Sequence, residues 1–168
     1  GGLRPLRIAS FVASPADRVV LAGFDAGAAE AFVLLVTGAM LPESGDVRVD
    51  GRSTRDIGEA TEWLTSLDRF GLVTDRAVLI GALSLAANLA LPLTLAIDPL
   101  SDQMRRTVEA LAAPVGFDAA RLSAPAGDLT PAERMRVHLV RAVAPRPAML
   151  LLEHPTGAMA SADEAAAF

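Results

Sequence analysis

The residues best placed to do chemistry lie between Arg18 and Gly38. Gly23-Phe24-Asp25-Ala26-Gly27-Ala28-Ala29-Glu30 follows the apolar run Arg18-Val19-Val20-Leu21-Ala22 and precedes Ala31-Phe32-Val33-Leu34-Leu35-Val36-Thr37-Gly38. In order, these read as a buried strand, a turn of small residues and an apolar helix. A turn of that composition lets backbone N–H groups at a helix N-terminus close around a polyphosphate, whose charge the helix dipole favours. The charged residues that complete such a loop are absent. All 15 basic residues are arginine and the chain contains no lysine, which excludes a lysine phosphate ligand, Schiff base or Ser–Lys dyad.

Composition narrows the field further. A chain of 168 residues is most simply one domain with a core of its own. With no cysteine, disulfide frameworks and Cys-ligated zinc or iron–sulfur sites are excluded, and His138 and His154 are too few for a His-rich metal site. The net charge is −5 and the arginines are scattered, so no nucleic-acid footprint is expected. Gly1-Gly2-Leu3-Arg4-Pro5 lacks the apolar core of a signal peptide. The uncharged span Ala77 to Ile97 has the hydropathy of a membrane crossing, but Gly81, Ser84, Asn88 and Pro92 interrupt it and argue against insertion.

The elements that would position the Gly-rich segment alternate between strand and helix. Leu6 to Val12 and Arg18 to Ala22 read as strands, Asp46 to Gly51 as an alternating strand, and Phe70 to Thr74 as a short apolar one. Glu62 to Asp68 reads as a short helix or turn, Ser84 to Ala90 as a buried helix that Pro92 stops, and Ser101 to Val115 as an amphipathic helix closed by Gly116. Thr130 to Ala144 is the best-defined helix: Thr130 caps it, Pro131 occupies its first position and Glu133 completes a capping box. Ala148 to Leu152 reads as a fully buried strand running into Glu153-His154-Pro155-Thr156, and the alternation argues a mainly parallel α/β core.

In order and spacing these segments resemble the nucleotide-binding domain of ATP-binding cassette (ABC) transporters. Leu41 to Gly51 is similar to the family's turn and strand after the phosphate loop, and Gly71-Leu72-Val73-Thr74-Asp75 to the strand entering the Q-loop. Leu83-Ser84-Leu85-Ala86-Ala87-Asn88-Leu89-Ala90-Leu91-Pro92-Leu93 resembles a segment before the signature, Leu129 to Val143 the signature helix, and Leu150 to Met159 Walker B with the D-loop. Asn-Leu-Ala-Leu-Pro-Leu and Pro-Thr-Gly look most like cassettes of lipoprotein release and macrolide export. The resemblance implies a P-loop NTPase-like α/β fold with a mainly parallel sheet, a helical subdomain at roughly 77–143 and a partial antiparallel β subdomain, over one domain of residues 1–168.

The departures from the family pattern bear on activity. The degenerate phosphate loop comprises Gly23, Asp25, Ala26, Gly27, Ala28, Ala29, Glu30 and Ala31; the lysine position is Ala29, and the magnesium-binding hydroxyl position is Glu30. At an effective dielectric near 20, one unit charge about 4 Å from another is worth roughly 4 kcal/mol, so losing a cation and gaining an anion opposes a nucleotide tetra-anion. The signature reads Leu129-Thr130-Pro131-Ala132-Glu133; Pro131 has no N–H to offer and Ala132 carries a Cβ where glycine lets the backbone approach phosphate. Glu153 stands at the Walker B aspartate, His154 at the catalytic glutamate, Asp75 at the Q-loop glutamine and Ala160 at the D-loop aspartate. A neutral imidazole can accept a proton, so His154 leaves base chemistry open.

Both helix N-termini that face phosphate in the family are expected to be satisfied internally, by Glu30 or Asp25 and by Thr130 with Glu133. His138 is expected to be packed or half-exposed, Arg134, Arg136 and Arg141 to form a solvated helix face, and Trp63 to pack. The implied role is a non-catalytic cassette-like protein acting through contacts with a transporter's membrane subunit or another cassette, as a homo- or heterodimer. No cofactor or metal site is expected, with ATP and magnesium only where residual nucleotide binding persists. The implied location is cytoplasmic, peripheral at the inner face of the membrane, without insertion. The alternative is a divergent ATPase that binds and slowly hydrolyses ATP, using Glu153 and His154, to drive transport.

Overall fold

Helix α1 (Ala26–Val36) starts as soon as the chain leaves Asp25. The alanine-rich run Ala26-Gly27-Ala28-Ala29-Glu30-Ala31 has strong helix propensity outside its one glycine, and the helix takes in most of the segment expected to form a turn. The computed structural model describes residues 6–74, 76–157, 159, 161, 162 and 165, and its contacts divide it into two compact units, Gly1–Leu67 and Asp68–Phe168.

In the first unit, Phe32 on α1 takes the rings of Phe11 and Phe24 edge-on, each at a centroid distance of 5.9 Å. The segments 6–12 and 18–22, expected as strands, join no ladder among the described residues, and Val12 and Val20 are 82% and 91% exposed. Their β-branched residues favour extended backbone, but a strand needs a partner to take its N–H and C=O groups. Strands β1 (Arg48–Val49) and β2 (Arg52–Ser53) form a small antiparallel hairpin in place of one continuous strand. Asp50 and Gly51 turn it with φ of 50° and 81°, the left-handed pair that a two-residue Asp-Gly turn adopts. Helix α2 (Ala60–Leu67) brings Trp63, whose indole N–H donates to the Thr37 carbonyl at 3.0 Å and ties α2 to the end of α1.

The second unit is built on strand β3 (Phe70–Val73), with helices α3 (Leu85–Ala90), α4 (Asp102–Ala112), α5 (Ala119–Ser123) and α6 (Pro131–Val143), and strand β4 (Met149–Leu152). Strands β3 and β4 pair in parallel from Phe70↔Met149 to Val73↔Leu152. At Gly71 a Cβ would lie 2.5 Å from the Ala142 carbonyl oxygen, so only glycine lets α6 lie this close to the pair. Strand β4 was expected to be fully buried; Leu150 and Leu152 are 37% and 45% exposed instead, because within this unit helices do not cover both faces of the pair. Leu85, Leu89, Val108, Leu122, Val137 and Val140 form the centre of the helical cluster.

Short α5 had no expectation in the sequence, whereas α4 runs as foreseen, through a 3-10 turn to Gly116 at φ 83°. Within the apolar span 77–97 the only helix is α3, six residues long, and among the described residues no helix is long and apolar enough to cross a membrane. Asn88 is fully buried: its side chain accepts from Ile80 N–H at 2.9 Å and donates to the carbonyls of Ile80 and Ser84 at 3.0 and 3.1 Å. Asn88→Ala strands those backbone groups away from water. It is expected to lower stability by about 3 kcal/mol, read from the urea midpoint at unchanged slope.

Candidate functional site

The N-terminus of α1 is closed by the chain itself. Asp25, in extended conformation, accepts the Ala28 N–H on its Oδ1 at 2.8 Å, and its carbonyl accepts the Ala29 N–H at 2.9 Å. Asp25, not Glu30, is therefore the cap; Glu30 sits half-buried within the helix, beside half-buried Ala28, Ala29 and Ala31. Gly23 turns the chain into this cap with φ 83°, and Gly27 lies within the first helical turn. A carboxylate thus stands at the N-terminus of α1. None of the loop positions carries a cation to offset it.

The N-terminus of α6 is closed more firmly. Thr130 Oγ1 accepts the Glu133 N–H at 3.2 Å, while Glu133 Oε2 accepts the Thr130 N–H at 2.9 Å, completing the expected capping box. Arg121 on α5 adds a fork onto the same carboxylate, Nε to Oε1 at 3.0 Å and Nη2 to Oε2 at 3.1 Å. That guanidinium and the Thr130 N–H hold the Glu133 carboxyl below the usual carboxylate range. Ala132 is buried at 4% exposure, so its methyl group is packed rather than presented. Arg134 donates to the Leu129 carbonyl at 3.2 Å.

At the end of β4, Glu153 is buried and both its oxygens are taken by one side chain. Arg76 Nη1 donates to Oε1 at 2.8 Å and Nη2 to Oε2 at 2.7 Å, a bidentate ion pair. Arg76 was not anticipated. The structure shows why the two meet: β3 and β4 are parallel neighbours, and residues just past each share one end of the pair. His154 is exposed, with φ 44°, and its carbonyl accepts the Gly157 N–H at 2.8 Å in a tight turn. Asp75 and Ala160 lie outside the described residues. His138 is buried at 2% exposure on α6. Arg141 departs from the expected solvated face: it is half-buried, which pulls its guanidinium pKa down, and donates to the Val78 carbonyl at 2.9 Å. Among the described residues no group of three or more His, Asp or Glu side chains is placed to hold a metal.

The family model described as ABC transporter matches residues 30–157. The chain belongs to the ABC transporter family. A lipoprotein-releasing system ATP-binding protein LolD of Chromohalobacter salexigens is 30% identical over 141 residues, covering 84% of this chain and 59% of that protein. LolD 1 of Rhodospirillum rubrum is 31% identical, covering 92% and 68%. Methionine import ATP-binding protein MetN 2 of Burkholderia mallei is 38% identical over 127 residues, 74% of this chain and 31% of that protein. The chain thus spans about three-fifths to two-thirds of the length of the lipoprotein-release relatives. A dimeric post-hydrolysis structure of the ATP-binding cassette MJ0796 bound to ADP and Pi aligns with TM-score 0.67 at 21% identity, over 85% of this chain and 62% of that one, which establishes the ABC cassette fold. The family match begins at Glu30, so Gly23 to Ala29 lie outside it.

The Glu133 network makes α6 acid-sensitive. A carboxyl lowered in the folded state contributes stability above its unfolded value and loses it as pH falls through the folded one. Glu133→Gln is therefore expected to lower the melting temperature at neutral pH, with the gap to the wild-type protein narrowing below about pH 4. Thermal melts across that range read the effect.

Proposed function

We propose that this chain is the cassette portion of an ABC transporter component that works through protein contacts, with nucleotide binding weakened and hydrolysis lost. The observation that carries this reading is the Asp25 carboxylate on the Ala28 N–H, where the resemblance reserves the helix N-terminus for phosphate. Ala29 and Glu30 add to it at the lysine and hydroxyl positions, and the Arg121-braced capping box supports the same reading at the signature position. Both composite sites of a dimer of such cassettes would be impaired together. In this reading the helical subdomain spans roughly 77–143. The partner is a membrane subunit or a second cassette, at the cytoplasmic face of the membrane. The similarity to lipoprotein-releasing proteins favours that transporter type.

A second reading is favoured by the relatives' names, each an ATP-binding protein. In it the chain is a divergent ATPase, Asp25 gives way to the nucleotide, and His154 accepts the proton of the attacking water.

Calorimetric titration with Mg-ATP to millimolar concentration, with phosphate release measured alongside, separates the two. No saturable binding and no turnover are expected; saturable binding with hydrolysis lost in His154→Ala would establish the second reading. Asp25→Ser with Ala29→Lys and Glu30→Ser restores a hydroxyl cap, a cation and a neutral neighbour. It is expected to gain nucleotide affinity by about tenfold or more, from the charge change alone. An unchanged affinity would overturn the role given to this helix end.

A further inference from the structure

The magnesium that the fold implies would be held near Glu153, and the residues there do not fit it. A small divalent cation demands near-octahedral oxygen coordination, keeps several waters, and draws its protein ligands from carboxylates with oxygens free to face it. Both Glu153 oxygens instead face one guanidinium, at 2.7 and 2.8 Å, and the carboxylate side chain is only 5% exposed. A cation within coordinating distance would stand against the fixed positive charge of Arg76. No other acid joins Glu153 in a metal-binding cluster among the described residues.

We propose that Arg76 fills the place of the divalent cation, so that Glu153 is the anion of a permanent internal ion pair and this end of the sheet is metal-independent. Arginine suits this place because its planar fork satisfies both carboxylate oxygens at once and cannot be deprotonated. The two partners leave the same end of the β3–β4 pair, three residues past Val73 and one past Leu152. The Glu153 N–H also donates to the Val73 carbonyl at 2.8 Å, which fixes the backbone that presents the acid. Arg76 is thus a positioning residue that holds the segment after β3 against the end of β4. The inference rests on the reading above only in placing Glu153 at the Walker B position.

Mn2+ alone serves as the probe, through its paramagnetic broadening of backbone amide signals. In the wild-type protein no selective broadening is expected at residues 151–154 with millimolar Mn2+. Arg76→Gln uncovers the carboxylate and is expected to tighten Mn2+ binding there roughly tenfold, while Arg76→Lys, which keeps a cation, is not. Selective broadening around Glu153 in the wild-type protein would overturn the proposal, as would an Arg76→Gln variant that folds and still excludes the metal. Should Arg76→Gln not fold, the wild-type and Arg76→Lys titrations decide alone. ATP is titrated separately in EDTA: saturable metal-free binding would overturn the weakened-nucleotide reading and leave the role of Arg76 standing. Mn2+ at Glu153 in the absence of nucleotide would do the reverse.

Discussion

A helix begins with backbone N–H groups that its own hydrogen bonds cannot reach, and something must satisfy them. A phosphate can do so, and so can a side chain one residue before the helix. This chain uses side chains at α1, α3, α4, α5 and α6, through Asp25, Ser84, Ser101, Asp118 and Thr130. At α3, α4 and α5 that is the ordinary solution and says nothing of ligands. At α1 and α6 the same solution falls where the proposed reading places phosphate, and that reading draws on the two caps.

The two caps differ in strength for local reasons. Asp25 is exposed and caps α1 through the Ala28 N–H, and replacing an N-cap carboxylate costs about 1 kcal/mol. Glu133 is half-buried and shared between the Thr130 N–H and the Arg121 fork, so α6 is tied to α5 as well as capped. Pro131 and Ala132 fit this arrangement. Proline starts the helix without an N–H to satisfy, and the alanine methyl group fills buried space.

What could be read in the sequence follows the range of each interaction. The α6 capping box is set by a few adjacent residues and is visible there, whereas Asp46 to Gly51 reads as one strand and the turn at Asp50-Gly51 with the return to Ser53 is not foreseen. Helix α1 begins earlier than the family resemblance implies, because that resemblance supplies a loop where the alanine content of residues 26–31 favours helix. Residues 6–12 and 18–22 have strand composition, but a strand is completed by a distant partner that composition does not name. Exposure of β4 depends in the same way on what covers its faces. The Arg76–Glu153 pair spans 77 positions, and only the parallel register of β3 and β4 brings its ends together.

The Arg76–Glu153 ion pair adds to the proposed reading a constraint separate from the Asp25 cap that carries it. Displacing the Asp25 cap costs about 1 kcal/mol, small beside the roughly 8 kcal/mol of micromolar binding. The Glu30 charge opposes a polyphosphate by several times that amount at short range, yet solvent and ions screen it at a half-buried site. Drawing Arg76 away from Glu153 would leave a buried carboxylate without its cation, a loss of about 3–5 kcal/mol for a fully buried pair and less here because Arg76 is 43% exposed. A divalent ion could offset that loss only by taking the carboxylate for itself. In the proposed reading, a divalent ion could reach Glu153 only by first opening that ion pair.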